Sequence, residues 1–205
     1  EHNSFETNQA DKKLFSQFRK YKTFVAASTH NTEELFAAKT HILLKKKIKN
    51  IITIIIPRHI NRVDQIISQL NELGLNAISR RSNKKKLDNI DIYLVDTFGE
   101  SKKFYKFATT VFLGGSIINR GGQNPLEPAR FGAKILHGPN IDNFRDVYKY
   151  LNQLKMSSSI NSPQQCANSI IFKKNMKKLK KMKYLGTTIL KKTLNELDKS
   201  IHNEI

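Results

Sequence analysis

Apolar positions along this chain alternate between short continuous runs and stripes at helical spacing, and that alternation predicts a mixed α/β fold. Residues 23–27 and 51–56 are unbroken apolar or β-branched runs, the pattern of strands buried on both faces of a parallel sheet. Shorter runs of the same kind fall at 76–79, 92–95, 111–113 and 134–137. Leu14, Phe15, Phe18 and Tyr21 share helical spacing and predict an opening helix before the first strand. Leu35, Phe36, Leu43 and Leu44 mark the next helix, with Thr32 placed to cap it and Lys45, Lys46 and Lys47 at the end whose dipole favours cations. Val63, Ile66, Ile67, Leu70 and Leu73 form a third stripe that stops at Gly74, a residue suited to the turn just past a helix. Further helices are expected over 100–108, 125–131 and 144–154, while the polar, lysine-rich stretch 80–89 reads as a surface loop.

Strands that alternate with helices build a Rossmann-like, doubly wound parallel sheet, and such sheets bind ligands at the carboxyl ends of their strands. Four chemistry-bearing segments fall at those ends: Ser28-Thr29-His30, Pro57-Arg58-His59, the segment 96–100 and the segment 114–127. The last contains two glycine pairs, Gly114-Gly115 and Gly121-Gly122, which let backbone N–H groups approach an anion closely. Ser116 and Asn124 add side-chain donors, and Pro125 suits the first turn of a helix. A plain strand-to-helix turn also uses glycines, so the glycine pairs alone do not decide the matter.

A chain of 205 residues holds one full α/β domain with a helical extension. The expected organisation is a helical lead-in over 1–22, a ligand-binding domain over 23–155 and a basic helical tail over 156–205. No charged start followed by an apolar stretch and no run of about 18 apolar residues is present, so neither a signal peptide nor a membrane span is expected and the chain reads as soluble. Cys166 is the single cysteine and reads as a small apolar helix residue. The histidines lack ligand spacing, so no metal and no cofactor is expected. Lys and Arg number 36 against 17 acids, a net charge of +19 that calls for an anionic partner, although the joint abundance of Ile, Asn and Lys is also what an AT-rich coding sequence produces.

The strings Ala26-Ala27-Ser28-Thr29-His30-Asn31-Thr32-Glu33-Glu34, Ile56-Pro57-Arg58-His59, Asp96-Thr97-Phe98-Gly99-Glu100 and 114–129 occur in an order that resembles the C-terminal half of the 3-deoxy-D-manno-octulosonic acid (Kdo) transferases. These are two-domain glycosyltransferases of the GT-B type, and the resemblance runs from about residue 23 to about residue 155. It implies that this half holds the donor CMP-Kdo, with CMP contacts at Pro57, Arg58, Phe98, Gly99, Glu100, Asn124, Pro125, Leu126 and Glu127. Ser28, His59, Gly115, Ser116 and Gln123 are additional candidates. It further implies transfer of Kdo to a lipid A precursor at the cytoplasmic face of a bacterial inner membrane. The family's catalytic base and an interdomain lysine fall upstream of residue 1, so the isolated chain is expected to bind donor without turnover and to need an N-terminal acceptor domain. Two departures bear on fine contacts: Phe98 stands where Met is frequent, and Ser101-Lys102 follows the Gly-Glu pair where Leu is frequent.

Several of these residues have a structural alternative. Arg58 suits an ordinary turn, Glu100 suits a helix cap, and Glu127 lies three positions before Arg130, at ion-pair spacing. His30 and His59 read as hydrogen-bonding walls in preference to a base. Lysines concentrated over 173–192 suit an anionic membrane surface or a merely solvated helix. Two rival functions remain, a non-catalytic basic module for anionic lipid or nucleic acid and a GT-B donor domain for another sugar nucleotide. Nucleic acid is disfavoured by the scarcity of aromatics in the basic tail.

Overall fold

A computed structural model of the protein describes residues 9–82 and 86–174. In chain order its elements are α1 (Gln9–Phe18), β1 (Lys22–Thr29), α2 (Glu33–Lys45), β2 (Ile51–Pro57), α3 (Val63–Glu72), β3 (Ala77–Ser79), β4 (Ile92–Leu94), α4 (Ser101–Tyr105), β5 (Thr110–Leu113), α5 (Leu126–Arg130), β6 (Lys134–His137), α6 (Arg145–Gln153), β7 (Ser157–Ser159) and α7 (Pro163–Ser169). The strands form one sheet in the order β3-β4-β2-β1-β5-β6-β7, and every pairing is parallel. The α/β, doubly wound expectation therefore holds. Sheet order reverses direction between β1 and β5, and the loops that leave these two neighbours diverge to opposite faces, opening a crevice at their carboxyl ends.

Both faces of the sheet are covered, which is why β2 is buried at every position and the central strands are mostly apolar. On one face Val25, Ile54, Tyr93, Val111 and Ile135 pack with Phe18 of α1, Phe104 of α4 and Tyr148 of α6. On the other, Phe24, Ile55, Leu94, Phe112 and Leu136 pack with Phe36 and Leu44 of α2, Ile66 and Leu70 of α3, and Cys166 of α7. Each fully buried Ile or Leu contributes roughly 1.5–3 kcal/mol relative to exposure, so the two layers together hold the crevice on a rigid base. At the opposite, amino-terminal edge the buried His41 bonds Thr53 at 2.9 Å through Nδ1 and Asp91 at 3.3 Å through Nε2, and Lys45 reaches the same Asp91 at 2.5 Å.

Several expectations are corrected. Thr32 precedes α2 but has φ 77 and makes no side-chain cap, because its backbone is turned into the left-handed region. The stretch 80–89 is not simply a surface loop: Arg80 is only 17% exposed in its side chain, and Leu87 joins the core at 1% exposure. The sheet also continues past residue 155. Strand β7 pairs with β6, and α7 packs onto the α2 side of the sheet, so residues 157–169 belong to the domain and not to a tail. Lys174 donates to the carbonyls of Lys106 and Phe131 at 2.7 and 2.8 Å, tying the segment after α7 back onto the fold. The lysines beyond 174 lie outside the described residues. Among the described residues no helix is long and apolar enough to cross a membrane.

Candidate functional site

The crevice is organised around a carboxylate that the sequence reading passed over. Glu33 opens α2 just past β1 and is fully buried. Its Oε2 accepts the N–H groups of His30 at 3.0 Å and Gly115 at 2.7 Å, and its Oε1 accepts those of Ser116 at 3.1 Å and Ile117 at 3.0 Å. One anion thus fastens the β1–α2 loop to the β5–α5 loop across the switch point. Gly114 is required by the same approach, since a Cβ there would lie 2.6 Å from the Thr29 Cα and 2.7 Å from the Glu33 carboxylate. The anion cradle expected of the glycine-rich segment is real, but its Gly115 and Ser116 N–H groups are satisfied by an internal acid. The Ser116 hydroxyl is likewise committed, donating to the Leu113 carbonyl at 2.5 Å and accepting from the Gly138 N–H at 2.8 Å. The expectation that Ser116 donates to a ligand gives way to this internal role.

Beside the clamp, a cleft of about 380 Å³ lies over the carboxyl ends of β1, β2 and β4. Ser28, Pro57, Arg58, His59, Thr97, Phe98, Gly99 and Ser101 line it, so segments far apart in the chain meet there. The volume lies within the range of small-ligand clefts, about 300–1,000 Å³. Ser28 adopts φ 54, and a bulge between Ala27 and Thr29 breaks the register of β1, which re-aims the strand end at the cleft. Pro57 is buried and ends β2, and the Arg58 N–H donates to the Thr29 carbonyl at 2.9 Å, leaving an exposed guanidinium at the rim. Phe98 is 78% exposed and follows Thr97 at the tip of the β4–α4 loop. An aromatic this exposed beside a concave surface is a platform for a flat ligand group.

His30 faces the same region from the other side. Its ring meets that of His59 edge-on at 5.6 Å, and its Nε2 is buried without a hydrogen-bond partner among the described residues. Burial holds its pKa below the usual histidine range; Glu33 opposes that, while His59, Arg120 and Arg58 add to it. Beside the cleft, against His59, stands a neutral imidazole within a cationic surround, suited to donating to an anion. Arg120, which the sequence reading did not single out, packs with Gln123 and His30 around Gly115.

Glu100 stands outside the lining of the cleft. It accepts from Arg80 Nε at 2.7 Å and Nη2 at 2.9 Å, from Lys103 Nζ at 2.8 Å, and from the Thr97 hydroxyl. Burial would raise its pKa, but the hydrogen bonds from Arg80, Lys103 and Thr97 outweigh that and bring it down to about 2. The helix-cap alternative for Glu100 is corrected, since it precedes α4 without a side-chain capping bond, and its carboxylate is committed to two cations. Asn124, Pro125, Leu126 and Glu127 form the entry to α5, with Asn124 Oδ1 accepting the Leu126 N–H at 3.0 Å. They stand at the rim next to the cleft and not in its lining. Glu127 meets Lys102 of α4 at 3.4 Å and not Arg130, the structural alternative considered for it, and both partners are half exposed, so the pair adds little stability. Gln123 offers its carbonyl to the Tyr148 hydroxyl at 2.9 Å, which fixes the loop before α5.

No family model matches the chain. Among curated proteins, the 3-deoxy-D-manno-octulosonic acid transferase of Haemophilus influenzae is 32% identical over 139 residues, which is 68% of this chain and 33% of that protein. The enzyme of the same name from Rickettsia prowazekii is 31% identical over 179 residues, 87% of this chain and 39% of that protein. A probable mitochondrial 3-deoxy-D-manno-octulosonic acid transferase of Arabidopsis thaliana is 30% identical over 154 residues, 74% of this chain and 34% of that protein. The chain thus spans between a third and two fifths of the length of these relatives. In fold it is similar to the C-terminal CMP-Kdo binding domain of WaaA from Acinetobacter baumannii, with a TM-score of 0.67 and 23% identity over 77% of this chain and 84% of that domain. The relatives in sequence and the likeness in fold agree, and the chain belongs to the 3-deoxy-D-manno-octulosonic acid transferase family, as a counterpart of its C-terminal half.

Proposed function

We propose that this chain is the donor-binding half of a glycosyltransferase and that its ligand is CMP-Kdo. The observation that carries the reading is the meeting of Pro57-Arg58 with Phe98-Gly99 in one cleft at the switch point of the sheet. In this reading the Arg58 guanidinium pairs with the single phosphate, a charge-assisted contact worth about 1.5–3 kcal/mol. Phe98 and Gly99 flank the cytosine, while Asn124 and Glu127 at the rim reach the ribose hydroxyls. His30 donates toward the anionic sugar or phosphate from the opposite wall.

The reaction is transfer of Kdo to a hydroxyl of a lipid A precursor. The hydroxyl oxygen bonds to the ketosidic carbon, the bond from that carbon to the phosphate oxygen breaks, CMP departs with the bonding pair, and the hydroxyl proton passes to a base. Arg58 and the cationic wall stabilise the departing phosphate. The base is assigned to an acceptor-binding half that closes over the cleft. A net charge of +19 supports work at an anionic membrane surface, and we place the enzyme at the cytoplasmic face of a bacterial inner membrane.

Calorimetry of the folded chain against CMP, UMP and AMP tests the reading. CMP is expected to bind more tightly than either of the others; equal binding of all three, or none, refutes a cytidylate site.

A further inference from the structure

The tip of the β4–α4 loop has almost nothing to rest on. Phe98 is 78% exposed, Gly99 has φ 74, and a Cβ built at Gly99 would meet no atom within 4 Å. Where this wall of the cleft stands is therefore decided at its base, where Thr97 and Glu100 are held. The two cations that hold Glu100 are also held from the other side. Asp11 of α1 accepts from Arg80 Nη2 and, at 2.8 Å, from Lys103 Nζ, and it is only 1% exposed. Two acids and two bases thus form a connected set linking α1, the end of β3 and α4. The backbone on the β3 side is fixed as well, since the Arg80 N–H donates to the Leu94 carbonyl at 2.8 Å and the Arg81 N–H to Asp96 at 3.0 Å.

Docking of α1 does not account for Asp11. The helix is anchored by Phe18 against Tyr93 at 5.2 Å and by Phe15 against Phe104 at 5.8 Å, contacts that hold it without any charge. A nearly buried ion-pair set is in general weak as a source of stability and costly to unbalance. Loss of the Asp11 charge would leave Arg80 and Lys103 facing one carboxylate, and their repulsion would be relieved by movement of the least packed member, the loop that carries Phe98.

We propose that Asp11 is a positioning residue that sets the base-binding wall of the cleft by holding Arg80 and Lys103 against Glu100. The role in nucleotide binding rests on the donor-site reading above; the role in ordering the loop does not. The chain has no tryptophan, so Phe98→Trp supplies a single indole at the tip. Anisotropy of that indole without ligand, and CMP titration, are compared in the F98W parent and with D11N or D11E added. D11N is expected to lower the anisotropy and to weaken CMP binding by about tenfold, the range of coupling within one network, while circular dichroism stays that of the parent. D11E, which keeps the charge, is expected to recover most of both. Anisotropy and affinity equal to the parent's in D11N, or D11E no better than D11N, overturn the proposal. Should D11N not fold, Lys103→Gln in the F98W background decides instead, with the same fall expected and no change overturning it. A parent that keeps its anisotropy but binds no CMP refutes the donor site alone, and the anisotropy comparison still decides the positioning role.

Discussion

Arg58 is exposed and Glu127 half-exposed at the ligand-facing end of the sheet, one on a strand-end loop and the other in the first turn of α5, and neither carries the core. Replacing either by Ala is expected to weaken CMP binding, by about 1.5–3 kcal/mol for the charged Arg58 contact, with the thermal midpoint unchanged. Normal affinity with a lowered midpoint would show that their role is structural. Glu33 is expected to behave in the opposite way. Glu33→Ala leaves four N–H groups without their acceptor in a buried place, and unsatisfied buried groups cost roughly 1–3 kcal/mol each. Denaturant unfolding of this variant should show a loss of several kcal/mol, whether or not nucleotide is present; a loss under about 1 kcal/mol would mean that water replaces the carboxylate.

Elements differed in how far the sequence disclosed them. Strands β1 and β2 and helix α3 are legible because apolar spacing alone builds them, and Gly74 ends α3 with φ 71 as its position predicts. Strand β7 is not legible, since Ser157-Ser158-Ser159 has no apolar side chain and is a strand only because β6 offers it an open edge. The cleft-lining segments were legible as strand ends, yet the partner of Glu33 lies 82 residues away and nothing local marks it. The Asp11–Arg80–Glu100–Lys103 set was hidden for the same reason: its charges read as solvated until the fold buries them. Its titration gives a test at this scale. With the folded pKa of Glu100 brought down to about 2 and that of Asp11 also lowered, the stability they contribute is present above the ordinary carboxylate range and is lost as pH falls through it toward 2. The thermal midpoint of Glu100→Gln should therefore lie below that of the parent at pH 7 and converge with it in acid. Parallel curves would count against the network. His41 adds to acid sensitivity in the parent, because burial lowers its pKa and the unfolded chain takes up its proton first, below about 6.5.

For the whole molecule, the proposed division between donor and acceptor halves makes a direct prediction. Purified chain given CMP-Kdo and lipid A precursor should bind donor without forming product, and supplying an acceptor half of a relative, in trans or by fusion, should permit transfer, because the reacting atoms must meet across a closing cleft. Product at the rate of a full-length relative from this chain alone would refute the division. The two sides of the crevice are also built on unequal terms. The loops joined by Glu33 form one locked body in which loss of that carboxylate disturbs four bonds at once. The Phe98-Gly99 tip is constrained only from below, and side chains there can change without disturbing what they stand on. A lineage of such proteins could therefore retune which flat group it accepts by altering one short tip, while the half of the crevice that carries the fold's own connectivity is barred from drifting.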